Sequence, residues 1–180
     1  SAKQALRDAG SSVPAGIVVA SVADAARAAQ SLGHPVALKA LGVAHKSEAG
    51  AVRLNLGTAE AVESAARDLL PLGSGLYVEK MIAGGVAELI VGITRDPLFG
   101  PVMTIGTGGV LVELLQDSAT LLLPVARGDI ERALRGLRMF PLLDGYRSRP
   151  KADVAAAIAA IESIAAFAVS DDIEELDVNP

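Results

Sequence analysis

The order of predicted elements changes near residue 71, and this change constrains the fold more than any other feature of the sequence. Before it, helices and strands alternate, whereas after it several strands follow one another before two helices and a last strand. The segment Pro71-Leu-Gly-Ser-Gly75 favours a hinge, because Pro and Gly interrupt regular structure. We therefore predict an α+β chain with one lobe over residues 1–73 and a second over residues 74–180.

Local signals give the bounds of the predicted elements. Ser21 and Thr58 are predicted to cap helices, with Asp24 reaching back to Ser21 and Gly33 ending the first of these helices. The first lobe is predicted to hold helices over residues 2–9, 22–32 and 59–70 and strands over 16–20, 35–41 and 52–56. The second is predicted to hold strands over 76–81, 87–94, 102–105, 110–114, 119–123 and 173–178 and helices over 129–139 and 152–169.

Composition excludes several classes of function. The chain is 51% hydrophobic but 3% aromatic, so its core is expected to consist of Ala, Val, Leu and Ile packed in helix and sheet layers. A formal charge of -5 gives no basic stripe for nucleic acid, and the lack of cysteine removes disulfides, thiolate chemistry and Cys-ligated metals. The most apolar late stretch is too short and polar for a membrane span, and no signal-like amino terminus is evident, so we expect a soluble cytoplasmic protein.

Lys39 lies inside the predicted apolar strand of residues 35–41. An unpaired ammonium group is costly there, so Lys39 needs an anionic partner. A bound phosphate is one such partner, and the Gly- and His-containing loop that follows favours it. The alternative is a lysine at a strand end whose ammonium group reaches solvent.

The following loop carries the densest cluster of reactive groups, His45-Lys-Ser-Glu48. A neutral imidazole is a competent nucleophile towards a phosphoryl group, and Lys46 can offset the incoming negative charge. Glu48 or a backbone carbonyl can hold the imidazole tautomer. The alternative is a solvated surface histidine, which is what we predict for His34.

The predicted strand after residue 75 ends in Glu79, Lys80 and Met81. The backbone there can pair with an adenine edge while Met81 packs on the face of the base. Glu88, near the start of the next strand, can accept hydrogen bonds from ribose hydroxyls. The alternatives are an exposed strand end and an ordinary surface carboxylate.

The run Gly106-Thr-Gly-Gly109 does not match a P-loop, because no Gly-Lys-Ser/Thr and helix follow it. The amides of Gly108 and Gly109 can still converge on a phosphate, although a plain hairpin turn is the alternative. Hard oxygen ligands suited to magnesium are supplied by four later residues: Glu113, Asp117, Asp177 and Asn179.

Seven motifs, taken in order, resemble one family over essentially the whole chain. They are Gly33-His-Pro-Val-Ala-Leu-Lys39, His45-Lys-Ser-Glu-Ala-Gly50, Val78-Glu-Lys-Met81, Glu88-Leu-Ile-Val-Gly92, Arg95-Asp-Pro-Leu-Phe-Gly-Pro101, Gly106-Thr-Gly-Gly109 and Glu174-Glu-Leu-Asp-Val-Asn-Pro180. The sequence thus resembles the ATP-grasp domain of ADP-forming acyl-CoA synthetases, which are related to the succinyl-CoA synthetase beta subunit.

The resemblance implies a two-lobed ATP-grasp fold that clamps ATP or ADP with Mg²⁺. The implied enzyme is an acid-thiol ligase that interconverts acyl-CoA, ADP and phosphate with a carboxylic acid, CoA and ATP through phosphohistidine. His45 would relay the phosphoryl group on a mobile loop. The implied ligand contacts are phosphate for Lys39, adenine for the residues from Glu79 to Met81, ribose or nearby groups for Glu88 and magnesium for Asn179.

Two departures from the family pattern bear on this interpretation. Gly50-Ala51-Val52 stands where family members commonly have Gly-Gly-Val. The family continues past Asn-Pro into a strand with a metal-binding aspartate, so we expect a C-terminally truncated fold that is inactive without the CoA-binding and ligase domains. The competing hypothesis is a ligand-sensing regulatory module fused to a protein lysine acetyltransferase.

Overall fold

A computed structural model of the chain describes residues 2–43, 49–109, 116–170 and 173–179. The chain divides into two compact units, one formed by Pro14–Ala83 and the other by the residues up to Val13 together with those from Gly84 onward. Each unit combines helices with an antiparallel sheet. The predicted α+β class is therefore confirmed.

The first unit contains a sheet of four described strands. These are β1 (Gly16–Val19), β2 (Val36–Ala40), β3 (Val52–Leu56) and β4 (Leu76–Lys80), arranged in the order β1-β4-β2-β3. Helices α2 (Val22–Leu32) and α3 (Ala59–Leu69) pack on one face of this sheet. Their core consists of small and branched aliphatic side chains, as the composition predicts: Ala25, Ala28, Ala29, Val36, Leu38, Ala40, Ala51, Val62, Ala65, Ala66, Leu69, Leu76 and Val78.

The predicted helix caps of this unit are confirmed. The Asp24 amide donates to Ser21 Oγ over 3.1 Å, and the Ala61 amide donates to Thr58 Oγ1 over 3.2 Å. Each bond satisfies an amide that a helix start leaves without an intrahelical partner. Helix α2 ends at Gly33, which adopts a φ of 77° and donates to Ala29 O.

The second unit contains strands β5 (Leu89–Asp96), β6 (Gly100–Thr107), β7 (Ser118–Leu122) and β8 (Glu175–Val178), in the order β7-β6-β5-β8. Its helices are α1 (Ala2–Asp8), α4 (Arg127–Gly136), α5 (Phe140–Leu143) and α6 (Val154–Ser170). Alternate residues of β5 and β6 face the helices and are buried: Val91, Ile93, Met103 and Ile105. Among the described helices, none is long and apolar enough to cross a membrane.

The two units differ from the lobes predicted at residues 1–73 and 74–180. Strand β4 pairs with both β1 and β2, so it is a central strand of the first unit. The predicted hinge is also tied into that unit, because Leu41 donates to Gly75 O over 2.8 Å and accepts from the Ser74 amide over 2.9 Å. Helix α1, by contrast, buries Leu6 in the core of the second unit.

The remaining predicted elements agree in type with the described structure and differ mainly at their ends. The strand predicted over residues 102–105 extends over Gly100–Thr107, and the helix predicted over 129–139 ends at Gly136. The short helix α5 was not predicted, because Pro141 and its flanking residues give no helical period. The strand predicted over residues 110–114 lies outside the described residues.

Candidate functional site

The first sheet turns one face to its helices and carries an ion pair on the other. Leu38 and Val78 are fully buried in the helix-facing core, so the alternate positions of β2 and β4 point the opposite way. On that side Lys39 Nζ lies 2.8 Å from Glu79 Oε2. The Glu79 side chain is 6% exposed and the Lys39 side chain 31% exposed. The anionic partner that Lys39 requires is therefore present within the chain.

Tyr77 lies on the same face, two residues before Glu79, and its position depends on Gly16. A Cβ at Gly16 would lie 2.2 Å from Tyr77 Oη, so only glycine leaves room for the phenol ring across β1. Gly16 stands opposite Glu79 in the strand register. Sequence reasoning did not identify Tyr77, although its spacing of two from Glu79 was a signal that the two residues share a face.

The segment Glu79 to Met81 is engaged within its own unit. Lys80 Nζ donates to Gly33 O over 2.7 Å and to His34 O over 3.3 Å. The amides of Lys80 and Met81 donate to Ala15 O and Pro35 O. The Lys80 side chain therefore links the residues after α2 to the sheet. Because the Lys80 and Met81 amides are already bonded, neither is available to an adenine base.

His34 is half-buried rather than solvated as predicted. Its Nδ1 lies 3.1 Å from Leu56 O, which ties the residue to the end of β3. This contact gives His34 a structural role.

The second unit brings Glu88 together with the glycine run. Gly108 donates to Glu88 O over 2.7 Å, and a Cβ at Gly108 would lie 3.0 Å from the Glu88 carbonyl carbon. At Gly109, where φ is 74°, a Cβ would lie 2.3 Å from Glu88 Oε2. A side chain at position 108 would crowd the Glu88 backbone, and Gly109 has the left-handed backbone conformation that favours glycine.

Asp177 and Asn179 lie on and just after the edge strand β8, and both are exposed. Because they are two residues apart, they share a face of the strand, which is opposite the face where Leu176 and Val178 pack on the core. A carboxylate and an amide oxygen are hard donors of the kind that Mg²⁺ prefers, so this pair fits a partial magnesium site. The described residues contain no cluster of three or more His, Cys, Asp or Glu that could hold a metal ion.

Asp117, which sequence reasoning placed among possible metal ligands, joins three segments of the second unit. Its carboxylate accepts from Thr107 Oγ1 over 2.9 Å and from the amides of Arg138 and Met139 over 2.9 and 3.0 Å. Burial acts to raise the pKa of the Asp117 carboxyl, but the hydrogen bonds from Arg138, Met139 and Thr107 outweigh it and hold this pKa below its usual range. Asp117 thus anchors the end of β6, directly before Gly108.

Three of the predicted site residues, His45, Lys46 and Glu113, lie outside the described residues. The described ones fall into two groups. Lys39, Glu79, Lys80 and Met81 belong to the first unit, and Glu88, Gly108, Gly109, Asp177 and Asn179 belong to the second.

Comparison with known proteins identifies the fold and the family. The family described as the ATP-grasp domain matches residues 1–180, and the chain belongs to this family. The chain is 30% identical over 192 residues to the ADP-forming acetate–CoA ligase II subunit beta of Pyrococcus furiosus, covering 99% of this chain and 81% of that protein. It is 38% identical over 191 residues to a trans-feruloyl-CoA synthase from a prokaryote of unknown identity, covering 99% of this chain. It spans 27% of the length of that synthase.

Solved structures agree with this assignment. The dinucleotide-forming acetyl-coenzyme A synthetase 1 of Ca. Korarchaeum cryptofilum, in complex with coenzyme A and Ca-AMPCP, superimposes with a TM-score of 0.92 at 31% identity. The match covers 99% of this chain and 83% of that one. A second structure of that enzyme, with Mg-AMPPCP and a phosphohistidine segment pointing towards the nucleotide binding site, gives a TM-score of 0.84 at 31% identity, covering 97% of this chain and 80% of that one. The chain therefore resembles the ATP-binding part of ADP-forming acetyl-CoA synthetases.

Proposed function

We propose that this chain is the nucleotide-binding module of an ADP-forming acyl-CoA synthetase. The reaction would be acyl-CoA + ADP + phosphate ⇌ carboxylic acid + CoA + ATP, with a phosphohistidine as intermediate. The CoA-binding and ligase chemistry would come from other domains of the same enzyme, in the same chain or in a partner subunit. The relatives are named as a CoA ligase subunit and a CoA synthase, which favours a synthetase over a regulatory module.

The observation that carries the proposal is the Lys39–Glu79 pair on the face of the first sheet that is opposite α2 and α3. Glu79 holds the Lys39 ammonium in place, yet about a third of the Lys39 side chain stays exposed. An ammonium group has three donors, so Lys39 can bind a phosphate oxygen while it retains Glu79. A cation fixed in advance loses little side-chain entropy when the nucleotide binds.

The other ligand contacts that we propose involve the remaining predicted site residues of each unit. Because the Lys80 and Met81 amides are already bonded, the adenine contact would rest on carbonyl oxygens and on the Met81 side chain. Glu88 would accept from ribose hydroxyls. Mg²⁺ held by Asp177 and Asn179, with Glu113, would neutralise charge on the nucleotide phosphates.

His45 would be the catalytic residue that carries the phosphoryl group. In the direction of ATP synthesis, the P–N bond of phosphohistidine breaks as a β-phosphate oxygen of ADP forms the new P–O bond, and the imidazole keeps the electron pair. Lys46 and Lys39 would offset the charge on the transferred group. The phosphohistidine segment of the Ca. Korarchaeum cryptofilum enzyme supports this proposal.

Phosphoryl trapping tests the proposal on the complete enzyme. [γ-³²P]ATP should label the wild type with an acid-labile, base-stable phosphate, and His45→Asn should abolish the label. His34→Asn is the matched control, because His34 is the other histidine of this chain and is tied to Leu56 O. Persistent label in His45→Asn would refute the relay, and failure of the wild type to bind ATP or ADP would refute the nucleotide module.

A further inference from the structure

Gly92 is a glycine that the fold itself does not require. It lies within the eight-residue strand β5, where glycine is unfavourable because it packs no side chain and loses much conformational freedom on folding. Its φ is not in the positive range. Apart from its chain neighbours, none of the described residues has a heavy atom within 4 Å of the place where a Cβ would stand.

Two glycines of the neighbouring strand β6, Gly100 and Gly106, have structural reasons. A Cβ at Gly106 would lie 3.1 Å from Asp117 O and 3.2 Å from Ser118 Cβ, so it would be crowded by Asp117 and by the neighbouring strand β7. Gly100 has a positive φ of 78°. Gly92 has neither constraint, so the open space above it needs another explanation.

The strand register places this space beside a proposed metal ligand. Asp177 of β8 stands opposite Gly92, and Thr104 of β6 stands opposite Gly92 on the other side. Thr120 continues the same row on β7. Because neighbouring strands lie about 4.8 Å apart, the backbones of Asp177 and Thr104 are separated by roughly 10 Å across a position that has no side chain.

This row lies on the face of the sheet that is turned away from the core. Its neighbours Val91 and Ile93 are 5% and 0% exposed and point into the core, so position 92 points outwards. The Asp177 carboxylate on one side of the gap can bind a metal ion, and the Thr104 hydroxyl on the other side can donate a hydrogen bond.

We propose that the phosphate chain of the nucleotide binds over Gly92, in the space between Asp177 and Thr104. The missing side chain lets phosphate oxygens approach the sheet closely, and the Thr104 hydroxyl donates a hydrogen bond to one of them. This inference rests on the proposed function, because it assigns the phosphate end of the same nucleotide site. In this role Gly92 favours phosphorylated ligands, because the absence of a side chain leaves space for their phosphate groups.

A volume series at position 92 of the complete enzyme tests the inference. Gly92→Ala and Gly92→Val should leave Tm unchanged or raised, because the added atoms enter open space and Val favours strands. Affinity for Mg-ADP should fall by about tenfold or more, and further for Val than for Ala, as expected for crowding a filled site. Affinity for adenosine, which has no phosphate, should not change.

Three further variants complete the design. Gly57→Ala and Gly57→Val are matched controls, because a Cβ there also meets no described heavy atom within 4 Å and φ is not positive. They should leave Mg-ADP affinity unchanged. Thr104→Val, which replaces the hydroxyl by a methyl group of similar size, should weaken Mg-ADP severalfold and leave adenosine unaffected.

The outcomes separate this inference from the proposed function. If the wild type binds Mg-ADP and folded Gly92→Val binds it equally well, the phosphate site over Gly92 is refuted. The proposed nucleotide-binding function is then still supported. A marked fall in Tm for Gly92→Val would contradict the open space itself. If the wild type binds neither Mg-ADP nor adenosine, the proposed function fails.

Discussion

Removing the Asp117 carboxylate should destabilise the second unit strongly. Its three hydrogen bonds hold Thr107, Arg138 and Met139, and a hydrogen bond to a charged group contributes about 1.5–3 kcal/mol. Such contributions are not additive within one network, and Asp117 is partly exposed, so we expect a loss of about 3 kcal/mol for Asp117→Ala. That corresponds to a fall in Tm of roughly 6–12 °C for a chain of this size.

Asp117→Asn should cost about half as much, because the amide keeps one acceptor oxygen but turns its NH₂ group towards donors. The pH dependence has a definite sign. The pKa of Asp117 is lowered in the folded state, so the carboxylate's contribution to stability is fully present above its unfolded pKa of about 3.9. This contribution is lost as the pH falls through the lower folded-state pKa of Asp117. The difference in free energy of unfolding between wild type and Asp117→Asn should therefore decrease over that pH range.

Urea unfolding followed by circular dichroism at neutral pH and near pH 3 measures both effects. Asp144→Asn is the matched control, because Asp144 pairs with Lys151 over 3.0 Å while both side chains are mostly exposed. Surface pairs of this kind contribute about 0–1 kcal/mol. If Asp117→Ala proves no more destabilising at neutral pH than Asp144→Asn, the anchoring role of Asp117 is refuted.

Three further predictions concern the first unit. Leu38→Ala should lower the free energy of unfolding by about 2–5 kcal/mol, because Leu38 is fully buried; a loss below about 1 kcal/mol in urea unfolding would contradict the packing. Thr58→Ala should cost about 0.5–2 kcal/mol in the same assay by removing the cap of α3, and Thr58→Ser should restore most of it. Lys39→Ala should weaken ATP binding in isothermal titration more than His45→Ala does, since a phosphate-facing cation acts in ground-state binding; equal losses would argue against the assigned roles.

Local signals in the sequence predicted much of the secondary structure. The caps at Ser21 and Thr58 are short-range features, because the donor amide lies three residues along the chain. Strand β3 has its predicted bounds, since its period-two pattern is complete within five residues. Such signals depend on neighbouring residues alone, so they can be read without knowledge of the fold.

Long-range pairing could not be predicted in the same way. The order β1-β4-β2-β3 places Glu79 beside Lys39, although 40 residues separate them. The sequence indicated that Lys39 needs an anion, but it did not indicate that Glu79 supplies one. The open space beside Gly92 could not be predicted either. A glycine that the backbone conformation requires and one that only leaves space look alike in a sequence.

The division into units has a consequence for the order in which the chain folds. Helix α1 precedes Pro14–Ala83 in the sequence, but the Ser163 hydroxyl that donates to Ala9 O and lies 3.1 Å from Ser11 Oγ is made about 150 residues later. At 5–20 residues per second the ribosome needs about 8–30 s for that length. A seven-residue helix is too short to persist alone in water, whereas Pro14–Ala83 can complete its sheet long before. The contacts of Ser163 with Ala9 and Ser11 can therefore form only after the unit of Pro14–Ala83 has been synthesised and can fold.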